Sequence, residues 1–184
     1  MSYNRVMYEF VRSFSEIRKI SKLIMIFGVI MSKFKNTFRI ESARLKEWDY
    51  SNPWYYYVTI NTKNHIHHFG KVGNEKMILN DLGMVVEKCW NNIPIHFPNV
   101  ELDYNVIMPN HLHGILIINS AVETRHAPSL QKKSITISNI VGSFKSAVSK
   151  QARENSYNNF SWQPRFYDRI IRDEKELYNI RRYH

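Results

Sequence analysis

The run YNVIMPNHLHGILII, Tyr104 to Ile118, decides how this chain is read. Two strand-like stretches, Val100 to Met108 and Leu112 to Ile118, are separated by Pro109-Asn110, a dipeptide that turns the chain. The second stretch is apolar on both faces, as expected of a central strand in a covered sheet. His111 and His113 flank Leu112 at its start, and because strand side chains alternate, both imidazoles project from one face. Two nitrogen donors on one face can hold a divalent ion, yet a His-X-His pair is equally consistent with two exposed or hydrogen-bonded side chains. Gly114 after the pair either lets the backbone of a bound molecule come close or marks a bulge.

Upstream, WYYYVTINT from Trp54 to Thr62 is dense in aromatic and β-branched residues and predicts the strand that opens the sheet. A polar turn at Lys63 to His65 precedes a short strand around His67 to Val72. From Glu75 to Ile93, the steps between Ile78, Leu82, Val85, Cys89 and Ile93 predict a helix with one apolar face, stopped by Pro94 and Pro98. Downstream, a polar loop from Asn119 to Lys133 leads to a helix over Ile137 to Arg153. Ile137, Ile140, Val141, Phe144 and Val148 share one of its sides. The aromatic run FSWQPRFYDRII, Phe160 to Ile171, precedes a last helix that begins at Asp173-Glu174, where the helix dipole favours acidic side chains. This order predicts an α+β fold, a ferredoxin-like antiparallel sheet with helices packed on one face.

A chain of 184 residues with 43% hydrophobic content forms one substantial core. Its lone cysteine, Cys89, excludes a disulfide framework or a thiolate zinc cluster and suits a reducing cytoplasm. The net charge of +10 and a pI near 9.7 favour polyanionic partners, nucleic acid first among them. Eleven Tyr, ten Phe and four Trp could stack unpaired bases as well as fill a core. Residues 1–36 read as a basic extension outside a fold of residues 37–184. Their apolar run, Leu23 to Met31, is too short to span a bilayer, and no membrane partner is expected.

The stretch Tyr104 to Ile118 resembles the His-hydrophobic-His (HUH) segment of single-tyrosine (Y1) transposases, which include the IS200-like and REP-associated tyrosine families. WQPRFYDRIIRDEKELYNIRRY, Trp162 to Tyr183, resembles the same family's path into the helix that carries its nucleophile. Weaker similarity in VTINTKN and LNDLGMVVE extends the resemblance from about residue 37 to the end. It implies that His111 and His113 bind a divalent metal, Mg²⁺ or Mn²⁺, and that Tyr183 is the nucleophile. It also implies an enzyme that nicks and rejoins hairpin-forming single-stranded DNA through a 5′-phosphotyrosine, in the cytoplasm at the nucleoid. A phenol with a pKa near 10 needs a metal-polarised phosphate to attack at neutral pH.

Tyr178 competes for that role. On a helical wheel Tyr183 falls beside Ile180 at one margin of the stripe defined by Leu177 and Ile180, and Tyr178 falls at the other, next to Leu177. Relatives carry Asn or Gln as a metal ligand four residues beyond the nucleophile, whereas this sequence ends at His184; either His184, water or a partner chain supplies the third ligand, or the domain is truncated at its C-terminus with weakened activity. Arg169 stands where many relatives have His. Lys145, Lys150, Arg153, Arg165, Arg169 and Arg172 are candidate phosphate contacts, with a solvated charged face as the alternative. A DNA-binding remnant without cleavage, and a ferredoxin-like RNA-binding module stacking bases on Tyr55 to Tyr57, are the competing functions. Whether one chain or a homodimer completes the site stays open.

Overall fold

The computed structural model describes residues 48–120 and 135–182, together with the backbone of 33–34 and 37–38. The chain divides into two compact units, residues 1–45 and 46–184. In the first, β1 (Lys33–Phe34) pairs antiparallel with β2 (Thr37–Phe38). All that follows concerns the second unit.

Strand β3 (Trp54–Asn61) shows why an aromatic, β-branched run makes a sheet centre: Tyr56, Val58 and Ile60 are fully buried on one face, while Tyr57, Thr59 and Asn61 occupy the other. The next segment departs from the sequence expectation of one helix over Glu75 to Ile93. Residues 70–79 form a hairpin of β4 (Gly70–Gly73) and β5 (Lys76–Leu79). Its two turn residues, Asn74 and Glu75, have φ of 49° and 61°, the double left-handed conformation that matches hairpin twist. Gly70 adopts φ 138° and packs so closely on the Ile78 carbonyl that no Cβ would fit. Helix α1 (Asp81–Asn91) therefore starts only after Asn80, whose side chain caps it by accepting from Gly83 N at 2.9 Å. Ile78, expected on the buried stripe, is 50% exposed, whereas Leu82, Val86, Cys89 and Trp90 are buried. The periodicity misled because Ile78, on the exposed side of β5, lies four residues before Leu82 and so imitates a helical step.

A short helix α2 (Ile93–His96) leads into β6 (Val100–Met108), the Pro109-Asn110 turn and β7 (His111–Ile118). Helix α3 (Ile137–Glu154) begins in a capping box between Thr136 and Asn139. Strand β8 (Tyr167–Ile170) and helix α4 (Glu174–Arg182) follow. The strand order is β6-β7-β3-β8, with every neighbouring pair antiparallel. Both β3 and β6 oppose β7 and so run the same way, which makes the split βαβ of a ferredoxin-like sheet.

Helices α1 and α3 cover the face that carries Tyr56, Val58, Ile60, Leu112 and Leu116. Trp90 of α1 meets Phe144 of α3 edge-on at 5.5 Å between centroids, and each such fully buried large side chain contributes about 1.5–3 kcal/mol of hydrophobic stabilisation. Gly114 belongs to this layer: a Cβ there would lie 2.3 Å from the Trp90 ring. Its smallness makes room for Trp90 on the face opposite the histidines, which replaces the expected approach of a bound backbone, while the expected bulge is present beside it: the β6–β7 register shifts between Leu102 and Asn105, the partners of Leu116 and Gly114.

Helix α4 is arranged differently. The Asp173 carboxylate caps it by accepting from Glu176 N at 2.7 Å, yet none of its described residues is fully buried. Glu176 pairs with Arg169 of β8 at 2.5 Å, and Arg181 pairs with Asp103 of β6. Those strands are opposite edges of the sheet, so α4 crosses the face that α1 and α3 leave uncovered. Ile115, on that second face, is 1% exposed. Tyr183, His184, the expected extension 1–36 and residues 121–134 of the polar loop lie outside the described residues, apart from the backbone of 33–34.

Candidate functional site

The second face of the sheet brings together residues from two central strands. In the register, Thr59 opposes His113 and Asn61 opposes His111. Alternation then sets Tyr57, Thr59 and Asn61 on the same side as both histidines. His113 is 4% exposed, and its Nδ1 lies 2.8 Å from the Tyr57 hydroxyl and 2.8 Å from the Thr59 hydroxyl. The Tyr57 ring also stacks on the imidazole at 5.6 Å and 11°. Burial pushes the Tyr57 hydroxyl well above the usual phenol range, its hydrogen bond with Thr59 opposes that shift, and Tyr167 adds to it. The phenol therefore stays protonated as a hydrogen-bonding group at neutral pH.

His111 is oriented from its own turn. Its Nδ1 lies 2.6 Å from Asn110 Oδ1, and the amide nitrogen of Asn110 donates to the His65 carbonyl at 3.0 Å. Since the amide oxygen can only accept, the His111 Nδ1 carries the proton and its Nε2 carries the lone pair. The turn is itself clamped. Thr62 N and Oγ1 donate to the Asn110 carbonyl at 2.9 and 3.0 Å, and His68 N and Phe69 N donate to the Pro109 carbonyl at 2.9 and 3.0 Å.

The two imidazoles stand 4.6 Å apart between centroids, at 77° to each other. With Nδ1 of each ring engaged by oxygen, Nε2 of each is the nitrogen that could ligate an ion, as in a metal-binding histidine with a supporting partner. The donor set fits a divalent ion that takes its remaining ligands from oxygen. Among the described residues, no group of three or more His, Cys, Asp or Glu side chains gathers around one point.

The six cations do not share a face. Lys145, Lys150 and Arg153 are on α3, in the layer behind the sheet. Lys145 is committed to structure: its ammonium donates to the Gln163 carbonyl at 2.5 Å and sits over the Trp162 ring, and burial lowers its pKa. Lys150 is an exposed partner of Glu154 at 3.9 Å. Arg169, opposite Tyr57 on β8, is placed on the histidine face, paired with Glu176. Arg165 and Arg172 flank β8 in the chain, and Arg172 is exposed. Tyr178 is 61% exposed. Its position on α4 lies about 130° from the side that carries Glu176, Leu177, Ile180 and Arg181, so it turns away from the sheet.

Sequence reasoning missed the residues that hold the imidazoles: Tyr57, Thr59 and Asn110. The alternation Tyr57, Thr59, Asn61 marked a second, more polar face of β3, but strand register was needed to place it beside the histidines.

No protein-family profile matches the chain. An uncharacterized protein of Haemophilus influenzae is 44% identical over 151 residues, spanning 77% of this chain and 84% of that protein. The chain belongs to that protein's family. Among solved structures, the REP-associated tyrosine transposase bound to a REP hairpin matches with a TM-score of 0.50 and 17% identity, over 78% of this chain and 68% of that one. The likeness shows a shared fold, that of a transposase. Among the described residues, no helix is long and apolar enough to cross a membrane.

Proposed function

We propose that this chain is a single-tyrosine transposase that nicks and rejoins hairpin-forming single-stranded DNA. The observation that carries this is the His111–His113 pair: two imidazoles on one face of a central strand, each held through Nδ1, an arrangement in which Nε2 would serve as the ligand. The shared fold supports it, because the matching transposase was solved with a hairpin bound. The net charge of +10 supports it too, since it draws a polyanion toward the protein.

In this reading His111 and His113 hold Mg²⁺ or Mn²⁺, and the ion supplies Lewis-acid polarisation of the scissile phosphate. Tyr183 attacks that phosphorus through its phenol oxygen after losing the proton. The O–P bond to tyrosine forms as the P–O3′ bond breaks, and the departing 3′ oxygen takes up a proton. The product is a 5′-phosphotyrosine and a free 3′-hydroxyl; attack by a 3′-hydroxyl, with loss of its proton, on the same phosphorus breaks the P–O bond to tyrosine, whose phenol oxygen takes a proton back, and rejoins the strand. Arg169 stands on the face where the DNA backbone would pass.

The test incubates purified protein with Mn²⁺ and labelled hairpin oligonucleotides and resolves covalent adducts on a denaturing gel. An adduct lost in Tyr183→Phe and kept in Tyr178→Phe is the expected result. Hairpin binding with no adduct under any condition would replace this reading with that of a DNA-binding remnant.

A further inference from the structure

We propose that Asn61 supplies a further ligand, its side-chain amide oxygen, to the ion held by His111 and His113; the inference rests on the metal reading of those histidines. Asn61 is the cross-strand partner of His111 and is half-buried on the histidine face. Directly opposed side chains have Cβ atoms about 5 Å apart, and the diagonal to His113 is about 7–8 Å, so the three side chains mark a triangle of the size a single ion spans.

The main chain fixes this corner. The Asn61 carbonyl accepts from Gln163 N at 2.9 Å, and the next residue, Thr62, donates to the Asn110 carbonyl at 2.9 Å. The amide side chain is uncommitted by comparison: among the described residues, no hydrogen bond engages it. Other polar side chains around the pair serve the imidazoles. Tyr57 and Thr59 hold His113, and Asn110 holds His111.

Chemistry favours the same choice. Met108, the other cross-strand neighbour of His111, offers only a soft thioether. A neutral amide carbonyl is a hard oxygen donor of the kind that suits Mn²⁺ or Mg²⁺ beside phosphate oxygens and water.

The experiment measures Mn²⁺ binding calorimetrically, and the visible spectrum of bound Co²⁺, for the full chain and for Asn61→Ala, Asn61→Asp and His111→Ala. Apo thermal melts verify folding. Asn61→Ala is expected to bind Mn²⁺ roughly tenfold or more weakly and to shift the Co²⁺ bands, the loss typical of an altered metal shell. Asn61→Asp, which keeps an oxygen at the same reach, is expected to retain the wild-type coordination spectrum, and it carries the test if the alanine variant fails to fold. Wild-type affinity and spectrum in Asn61→Ala, with binding still lost in His111→Ala, would overturn the Asn61 assignment and leave the histidine site standing. Absence of His111-dependent binding in the wild type would overturn both.

Discussion

Thr59 Oγ1 lies 2.8 Å from His113 Nδ1, joining side chains that are 54 residues apart in the chain and directly opposed in the sheet. The hydroxyl fixes the ring from behind. Thr59→Val keeps the shape and removes the hydrogen bond, and Tyr57 still reaches the same nitrogen. We expect a stability loss of about 1 kcal/mol and a fall in Mn²⁺ affinity of roughly tenfold, read by thermal unfolding and calorimetry.

Gly114→Ala tests the packing directly behind the histidines. The new methyl would meet the Trp90 ring at 2.3 Å, and Trp90 is fully buried between layers. The expected cost is about 1–3 kcal/mol, the range for overpacking a full core, with a changed Trp90 fluorescence. A melting temperature equal to wild type would show that the ring moves aside freely.

The helix that leads toward Tyr183 is held by its ends. Arg181 makes a forked pair with Asp103, its Nε donating to both carboxylate oxygens at 3.2 and 3.1 Å, while Glu176 holds Arg169. Asp103→Asn should barely alter global stability, because exposed pairs contribute under about 1 kcal/mol. It should still speed amide exchange within residues 177–182 relative to the sheet. Unchanged exchange there would mean that half-buried Leu177 and Ile180 anchor α4 by themselves.

Acid should weaken the fold through His68. Partial burial lowers its pKa below the usual 6.5, and its ring packs edge-on against Phe160 at 5.3 Å. A base with a depressed folded pKa takes up its proton more readily when unfolded, so stability is intact above about 6.5 and declines as pH falls through the folded value. His68→Phe should flatten the stability curve between neutral pH and about pH 5. An unaltered curve would assign the acid response to other groups.

The ferredoxin-like sheet was legible because its strands are strongly patterned: Trp54 to Asn61 and Leu112 to Ile118 could be little else. Of the hairpin at 70–79, the short strand expected around His67 to Val72 anticipated β4, but β5 was hidden, because Ile78 satisfies a helical step as well as a strand one, and the left-handed turn at Asn74-Glu75 lacks the usual glycine. The histidine pair was visible as a motif, and its shared face followed from alternation alone. Its supports were hidden, since only register tells which residues of β3 stand beside which residues of β7. The division of the cations between α3 and the β8 region was equally hidden, because charge in a sequence carries no information about layer.

Strand β3 lies at the centre of the sheet, bonded to β7 on one side and β8 on the other, and it carries the groups that orient His113. No piece of the chain that lacks β3 or β7 can therefore present the pair in this geometry; unfolding the sheet dissolves the site. By mass action, an ion bound there raises the free energy of unfolding of the whole sheet, by about 2.7 kcal/mol at a hundred times its dissociation constant. The melting temperature of this protein would then rise with metal concentration, which makes heat a gauge of occupancy that needs no DNA at all.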